Sequence, residues 1–453
     1  MPKLLLITAS SPDIRRVRRS RVLSFQQITM PYLAAFVPAH WTIQHVDEAV
    51  RSVDVSADAD LVAITFHTPS AAHVYAVAAQ FRRRGICVAL GGPHVTLLPD
   101  EAQANADVIF VGEAEETWPR FLRDFEAGHA QRRYVGAQPP SLMDAPMARK
   151  AFYVRRDLTA GRLFATRGCR FDCDFCALVP LYQRCVRQRP VAAVAAEYAS
   201  FPGKVIIFWD DNLANDLTYA KALCRAITPH RKWWSSQASL HAGRDEEFLE
   251  LAARSGCKQL FIGIESVSQA SMNAVRKGFN RVDDYAQVIA RIHAHGIAVQ
   301  AGIVFGFDHD TEAVFDETVD FLDAVGVQNA TFNILTPYPG TRLFARLEAE
   351  GRILTRDWRR YNGRADVVFE PRQMSAAALL SGFRRATRRF YGLTSIGRRL
   401  SRAPIGLWWT LPLNLAYATA RLWAPPDSPG SAEPHTPPTP PLNRRDVGGA
   451  FDR

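Results

Sequence analysis

The sequence predicts an α/β protein in which two successive parallel-strand domains are followed by a helical C-terminal extension. Short apolar runs alternate with helical stretches over residues 1–125 and again over residues 156–345, whereas residues 346–423 are mostly helical in pattern. Strands that alternate with helices are typical of a parallel sheet covered by helices on both faces. With 453 residues, of which 47% are hydrophobic, the chain is long enough for two or three globular domains.

The first domain, residues 1–125, is predicted to be a flavodoxin-like doubly wound sheet because five apolar strands are separated by helical patterns. The predicted strands are Leu4–Thr8, Trp41–His45, Leu61–Thr65, Cys87–Gly91 and Val108–Val111. Residues 126–155, with Gln138–Ser141 (QPPS) in the middle, are predicted to be a connector.

The second domain, residues 156–345, is predicted to be a partial (β/α)6 barrel. Its six predicted strands are Leu163–Thr166, Val205–Trp209, Trp234–Ala238, Gln259–Gly263, Ala298–Phe305 and Ala330–Leu335. In such barrels the chemistry takes place at the C-terminal ends of the strands, so the residues there are the candidates for function.

The C-terminal extension contains a segment, residues 383–423, that is both basic and apolar. Pro404 and Pro412 interrupt it, and it has no charge-free span of about 18 residues, which argues against a transmembrane helix. Two alternatives remain: an interfacial helix that makes peripheral membrane contact, or a helix packed on the barrel with an arginine-rich outer face. Residues 424–453 hold eight of the 28 prolines and are predicted to be disordered.

The bulk composition and the cysteine count favour a soluble globular protein of the cytoplasm, with membrane association left open by the basic segment. The net charge is +10, but arginine runs such as Arg82–Arg84 lack interleaved aromatic residues, so no nucleic-acid partner is expected. Met1 leads directly into a strand-length run with no signal-peptide pattern. The seven cysteines are an odd number and only three of them cluster, which argues against a disulfide framework.

The cysteine cluster, Cys169, Cys173 and Cys176, follows the first predicted barrel strand in the sequence CRFDCDFC. A structural zinc site would need a fourth ligand and usually a second cysteine pair, and the other cysteines are isolated. Three thiolates can hold a 4Fe–4S cluster and leave one iron open to a ligand. The spacing therefore predicts an iron–sulfur site, with three free thiols as the alternative.

This CxxxCxxC motif, with an aromatic residue before its last cysteine, resembles the signature of the radical SAM superfamily, and the resemblance extends over residues 155–345. It implies that S-adenosylmethionine binds the open iron and is cleaved reductively to a 5′-deoxyadenosyl radical. The electron would come from a donor such as flavodoxin or ferredoxin.

The same resemblance implies further cofactor-binding residues. Acidic strand-end side chains would hold the ammonium group or ribose hydroxyls of the cofactor, although they could equally be helix caps. A small residue would let the backbone approach the adenosine. The implied residues are Phe175, beside the adenine, and Asp210, Asp211, Gln237, Glu265 and Gly306, at strand ends.

A flavodoxin-like domain ahead of such a barrel resembles the cobalamin-binding subclass of the superfamily. The cobalamin-binding residues implied by that resemblance are Thr65, His67, Gly91, Gly92, Pro93, His94, Gly112 and Glu113. The AspxHisxxGly loop that supplies a cobalt-ligating histidine in many cobalamin enzymes is absent, because the first strand is followed by TASSPDIR. We therefore expect that no histidine from this loop ligates the cobalt. The alternative is that the first domain binds no cofactor.

Together these resemblances imply a cobalamin-dependent radical SAM enzyme that methylates an unactivated carbon of a small, lipophilic metabolite. A first alternative keeps the same cofactors but performs cyclisation or oxidative rearrangement without methyl transfer. A second is a non-catalytic iron–sulfur binding or assembly protein. Trp358 and Tyr361–Gly363 resemble the extension that closes the active site in this subclass, where the substrate is expected to bind.

Overall fold

The computed structural model describes residues 1–11, 27–136, 139–153 and 161–422. Two six-stranded parallel sheets follow one another along the chain, and three helices close the C-terminal side. The α/β class, the doubly wound first domain and the partial barrel are thus confirmed. The predicted proline-rich tail, residues 424–453, lies outside the described residues.

The first sheet has the strand order β2-β1-β3-β4-β5-β6, and every neighbouring pair is parallel. Its strands are β1 Lys3–Thr8, β2 Thr42–Asp47, β3 Leu61–Thr65, β4 Cys87–Gly91, β5 Val108–Val111 and β6 Arg133–Val135. The prediction of five strands was wrong, because β6 lies inside the predicted connector. This short strand pairs with β5, and its Tyr134 stacks on Phe110 at 5.6 Å between ring centroids.

Helices cover both faces of the first sheet. They are α1 Thr29–Leu33, α2 Ala71–Arg83, α3 Pro93–Leu97, α4 Pro99–Ala104 and α5 Thr117–Glu126. In α2 the residues Ala71, Val74, Ala78 and Phe81 recur at helical spacing and are all buried against the sheet.

The second sheet is an open barrel with the order β14-β13-β12-β11-β10-β7, again all parallel. The strands of this half are β7 Gly161–Leu163, β8 Thr166–Arg167, β9 Arg187–Gln188, β10 Val205–Phe208, β11 Trp233–Ala238, β12 Cys257–Glu265, β13 Ala298–Phe305 and β14 Asn329–Ile334. Strands β8 and β9 form a separate antiparallel pair outside the barrel sheet.

The first barrel strand differs from its prediction. Residues Leu163–Thr166 were expected to form one strand, but β7 ends at Leu163 and β8 begins at Thr166. The buried carboxylate of Asp210 accepts hydrogen bonds from the backbone N–H groups of Ala165 and Thr166, and this turns the chain out of the barrel. The cysteine cluster therefore lies in the segment between β8 and β9 and does not directly follow a strand of the barrel sheet.

Eight helices accompany the barrel strands. They are α6 Leu178–Tyr182, α7 Val191–Ser200, α8 Leu217–Ile227, α9 Glu246–Arg254, α10 Gln269–Ala274, α11 Tyr285–Ala294, α12 Val314–Ala324 and α13 Arg342–Ala349. The carboxylates of Asp216 and Asp245 cap the N-termini of α8 and α9 by accepting backbone N–H groups.

The extension ends in three helices, α14 Ala376–Phe390, α15 Leu393–Leu400 and α16 Leu407–Leu422. Arg399 is fully buried and donates to the carbonyls of Val327 and Gln328, and Arg389 pairs with Asp316 on α12. Within residues 383–419 these helices pack on the barrel, which agrees with the second of the two alternatives. None of the described helices has the length and apolarity that a membrane span requires.

Candidate functional site

A cavity of about 750 Å³ lies between the C-terminal edge of the first sheet and the cysteine-bearing side of the barrel. The first domain, the barrel and the extension all contribute to its walls. Eight predicted cofactor residues line it: Thr65, His67, Gly91, Gly92, Pro93, Gly112, Glu113 and Asp211. The C-terminal edge of a doubly wound sheet is where such folds bind their ligands.

Two of these glycines show how the wall accommodates a ligand. Gly92 has φ +105°, and a Cβ built there would lie 2.8 Å from the carbonyl oxygen of Phe66. Gly112 has φ +85° and nothing within 4 Å of such a Cβ, so it faces open cavity. Gly112 leaves a bare backbone surface that a large, tailed cofactor such as cobalamin can approach, whereas glycine at position 92 lets the turn pack against the backbone of Phe66. The wall thus fits the group that the sequence implied.

His94 lies behind this wall rather than on it. Its side chain is fully buried, with Nδ1 3.2 Å from Thr68 Oγ1 and Nε2 3.1 Å from Tyr75 OH and 3.2 Å from Glu101 Oε1. Trp358 of the extension donates its indole N–H to the same glutamate at 3.0 Å. His94 therefore belongs to a hydrogen-bond network behind the cavity wall. It does not line the cavity.

The loop that carries the cysteine cluster is held by side chains from the end of β10. Asp211 accepts from Gly168 N at 2.8 Å, and Asn215 donates to Gly168 O at 2.9 Å. Asn212 directs its amide at Cys169 Sγ, 3.8 Å away. Asp210, by contrast, is fully buried away from the cavity, and burial raises its pKa to about 7. Asp211 lines the cavity, and Asp210 holds the chain that leads to the cysteines.

Cys173 is buried and the other two cluster cysteines are partly exposed, and the charge of Lys277 acts on Cys173 and Cys176. Burial raises the pKa of Cys173 to about 12 and that of Cys176 to about 11. Lys277 Nζ lies 2.6 Å from Glu265 Oε1. The positive charge of Lys277 lowers the pKa of both thiols and so opposes the effect of burial. Gly263 makes room for this ion pair, since a Cβ there would lie 2.4 Å from the Glu265 carboxylate.

These thiols fit an iron–sulfur cluster by their chemistry, because buried thiolates need the positive charge that bound iron supplies. Among the described residues, no three His, Cys, Asp or Glu side chains converge as closely as a single metal ion requires. A 4Fe–4S cluster is larger than one ion, and its ligands stand further apart.

The three remaining predicted residues, Gln237, Phe175 and Gly306, have different surroundings. Gln237, at the end of β11, is exposed, and Phe175 lies half-buried with its ring 5.8 Å from that of Phe307. Gly306 was expected to face the adenosine, but a Cβ there would lie 2.8 Å from Leu379 on α14. The close approach of α14 by itself requires a small residue here, and the contact of Gly306 with the adenosine stays a prediction.

Sequence reasoning missed the residues that join the two domains. Arg167, directly before the cysteine loop, pairs with Glu113 and Glu115 of the first domain, and Arg187 also pairs with Glu113. The guanidinium of Arg167 also lies 4.8 Å from the centre of the Phe164 ring. The partners in these ion pairs lie more than 50 positions apart, and no local sequence pattern indicates which distant residues will form an ion pair. Only the structure could reveal these contacts.

Known protein families match this chain along most of its length. The radical SAM superfamily profile matches residues 163–322, and the B12 binding domain profile matches residues 16–122. A domain of unknown function (DUF4070) matches residues 341–404. Bacteriochlorophyllide d C-12(1)-methyltransferase of Chlorobaculum tepidum is 30% identical over 374 residues, which cover 80% of this chain and 81% of that protein. The chain belongs to the B12-binding radical SAM methyltransferases.

Other relatives agree with this membership. Hopanoid C-2 methylase of Rhodopseudomonas palustris is 26% identical over 351 residues, which cover 73% of this chain and 66% of that protein. The radical SAM methyltransferase TsrM from Kitasatospora setae, solved with tryptophan and a SAM analogue, shares the fold with a TM-score of 0.64 and 16% identity. That alignment covers 77% of this chain and 76% of TsrM. The enzyme accordingly uses a 4Fe–4S cluster, S-adenosylmethionine and cobalamin.

Proposed function

We propose that the enzyme methylates an unactivated carbon on a small, lipophilic ring system of the tetrapyrrole kind. The observation that carries this proposal is the cavity of about 750 Å³ at which all three parts of the chain meet. A cavity of this size is within the range that proteins use to bind one ligand, and its position places that ligand between the cofactor domain on one side and the barrel on the other.

The lining of the barrel side favours an apolar substrate. Its side chains are mostly aromatic or aliphatic, namely Leu178, Leu181, Tyr182, Trp209 and Tyr338. Burial raises the pKa of Tyr338 to about 12, so its hydroxyl stays protonated and donates to the carbonyl of Tyr361 in the extension. Such walls bind flat hydrophobic molecules and exclude water from a radical reaction.

The relatives support a ring-bearing substrate. Two of them, from Chlorobaculum tepidum, are named as bacteriochlorophyllide d methyltransferases that act at C-12(1) and C-8(2). A third is named as a hopanoid methylase. A lipophilic polycyclic framework is common to these substrates, and it matches the apolar cavity described above.

The chain's own residues have positioning roles in this proposal. Cys169, Cys173 and Cys176 would hold the cluster, and Lys277 with Glu265 would balance charge beside it. Gly92 and Gly112 would seat cobalamin against the first sheet. When bound, the cofactors supply the radical and the methyl group, while the apolar walls fix the substrate carbon between them.

The test is an anaerobic turnover assay of the protein reconstituted with iron, sulfide and hydroxocobalamin and supplied with S-adenosylmethionine and dithionite as the reductant. The substrates are alkylated tetrapyrroles, with a sugar and a peptide for comparison. We expect methylated tetrapyrrole together with 5′-deoxyadenosine and S-adenosylhomocysteine. Cys173→Ala should abolish all three products, whereas Cys185→Ala, which removes an isolated cysteine, should not.

Other product patterns would overturn the proposal in identifiable ways. 5′-Deoxyadenosine without S-adenosylhomocysteine would indicate cyclisation or oxidative rearrangement instead of methyl transfer. A loaded cluster with no cleavage of S-adenosylmethionine would indicate a binding or assembly protein. Methylation of the sugar or peptide alone would refute the lipophilic substrate.

A further inference from the structure

The outer face of the cysteine loop is unusually rich in arginine. We name as the loop face the residues Arg170, Phe171, Arg184, Arg276 and Arg342. The first two belong to the loop itself, and Arg170 directly follows the cluster cysteine Cys169. The Cα atoms of Cys169 and Arg170 are adjacent and therefore about 3.8 Å apart, so the backbone of the loop face begins at the cluster site.

Two of these arginines are neutralised within the protein. Arg342 lies 2.9 Å from Asp172 Oδ1 and 2.7 Å from Asp174 Oδ1. Arg276 contacts the same two carboxylates at 3.3 and 3.4 Å. These ion pairs tie the loop to α13 and to the segment after α10, so Arg276 and Arg342 have a structural role.

The other two arginines have no carboxylate partner among the described residues. Both Arg170 and Arg184 are exposed. Arg184 Nε donates to the carbonyl of Arg170 at 3.3 Å, and the guanidinium of Arg170 lies 5.2 Å from the centre of the Phe171 ring. The loop face therefore presents two exposed positive charges that form no ion pair among the described residues, with Asp216 and Asp172 acting on Arg170 and Arg184 only at longer range.

An aromatic pair lies at the centre of these charges. The rings of Phe171 and Phe279 stack at 3.9 Å with an interplanar angle of 13°, and both side chains are partly exposed. Aromatic residues and arginine are enriched where proteins bind one another, and charges around such a centre steer the encounter.

We propose that the loop face is the docking surface for an acidic, low-potential one-electron carrier protein. Reductive cleavage of S-adenosylmethionine consumes one electron for each molecule cleaved. The carrier is oxidised by one electron, which enters the cluster held by the three cysteines, and no covalent bond forms between the two proteins. The proposal rests on the radical chemistry of the family and not on the substrate proposed above.

The experiment uses a flavodoxin in its hydroquinone form as the probe and the full-length, cluster-loaded enzyme. Association is measured by biolayer interferometry, and cluster reduction by anaerobic stopped-flow absorbance. For Arg170→Gln/Arg184→Gln we expect the association rate constant to fall roughly tenfold at low ionic strength. The deficit should shrink as added salt shortens the Debye length. Reduction by dithionite, which needs no docking, should be unchanged.

A matched control removes the same charge elsewhere. Arg120 and Arg254 are also exposed arginines without an ion pair among the described residues, and the guanidinium of Arg120 likewise lies 5.2 Å from an aromatic ring centre, that of Tyr134. Arg120→Gln/Arg254→Gln should associate with flavodoxin like the wild type. Arg170→Lys/Arg184→Lys, which keeps the charge, should restore association.

Three results would each overturn the proposal. The first is an Arg170→Gln/Arg184→Gln enzyme that binds flavodoxin and is reduced by it at the wild-type rate in low salt. The second is equal slowing with dithionite, which would mean that the cluster site itself is damaged. The third is a lysine pair as slow as the glutamine pair. None of these readouts involves a methylated product, so they are independent of the proposed substrate.

Discussion

Asp210 and Asp211 are neighbours in the chain, but their carboxylates lie in different surroundings. Asp211 lines the cavity and accepts from Gly168 N, whereas Asp210 is fully buried and accepts from Ala165 N, Thr166 N and Thr166 Oγ1. Successive side chains along an extended chain point in opposite directions, so only one of the pair can face the cavity. Asp210 is therefore a positioning residue for the chain that leads to the cysteines.

Replacing Asp210 tests this role. In Asp210→Asn an NH₂ group would replace Oδ2 and face the backbone N–H of Ala165, which lies 3.1 Å from that atom, so we expect a loss of stability of roughly 1–3 kcal/mol. Burial raises the folded-state pKa to about 7 from an ordinary value of 3.8, so this carboxyl contributes most stability at low pH and loses it as pH rises towards 7. Thermal unfolding of the apoprotein from pH 5 to pH 7.5 should show the wild-type advantage narrowing. A constant difference between the two proteins would contradict this expectation.

For single residues, the sequence indicated which chemistry a side chain could perform better than it indicated where in the fold that side chain would lie. The spacing of Cys169, Cys173 and Cys176 was sufficient to propose a cluster, because a thiolate triad on one short loop has few other uses. Lys277 could not be found in the same way, since the turn that brings it to Glu265 is set by tertiary packing. His94 was misplaced because its partners Tyr75 and Trp358 come from distant parts of the chain.

The turn between β4 and α3 is the element on which the cofactor wall depends. Gly92 has φ +105° and ψ −177°, a backbone conformation that side chains rarely tolerate, and Phe66 O closes the space beside it. Gly92→Ala should therefore cost about 1–3 kcal/mol in backbone strain, with a further contribution from the contact. Thermal unfolding of the apoprotein measures this loss, and an unchanged melting temperature would contradict it.

Gly112 is the natural comparison, because it also has positive φ but open space around it. A methyl group there would project into the cavity and would add backbone strain but no steric clash, so Gly112→Ala should lower the melting temperature less than Gly92→Ala does and should weaken cobalamin retention. Cobalamin bound after gel filtration, read by absorbance, distinguishes the two effects. If both variants lost equal stability and retained equally little cobalamin, the distinction between Gly92 and Gly112 would be contradicted.

Element prediction from sequence succeeded where apolar runs were long and failed where they were short. Strands such as β12 and β13 are nine and eight residues long and were located well. The three-residue strand β6 has one buried side chain, too few for an alternating pattern. The β7–β8 break arises from hydrogen bonds to Asp210, and no local propensity encodes a side-chain partner 45 residues away.

The whole molecule closes around the cavity by contacts between parts that are distant in sequence. Arg167 of the barrel pairs with two glutamates of the first domain, and Trp358 of the extension donates to Glu101 on α4. The order of the domains could be read from motifs and strand counts. Their mutual arrangement could not, because it depends on buried charge pairs whose partners the sequence does not specify.

The contact between Trp358 and the first domain is expected to set how firmly the cavity is closed. The indole N–H donates to Glu101 Oε2 at 3.0 Å, and its ring meets those of His94 and Tyr361 edge-on at 6.0 and 4.9 Å. Burial alone would raise the pKa of Glu101, but hydrogen bonds from His94, Trp358 and Tyr75 lower it, so the carboxylate is ionised at neutral pH. A charged acceptor makes this bond stronger than a neutral one.

Trp358→Phe keeps the aromatic contacts and removes only that hydrogen bond, at a cost of about 1.5–3 kcal/mol. We expect faster amide exchange in residues 93–104 and 355–363, a higher KM for substrate and a smaller change in kcat, because the extension would open more often without altering the cluster loop. Trp408→Phe is the matched control, since Trp408 is 53% exposed and packs against Trp233 away from the cavity. Unchanged exchange in both segments of Trp358→Phe, or the same KM shift in Trp408→Phe, would show that the contact does not hold the extension against the cofactor domain.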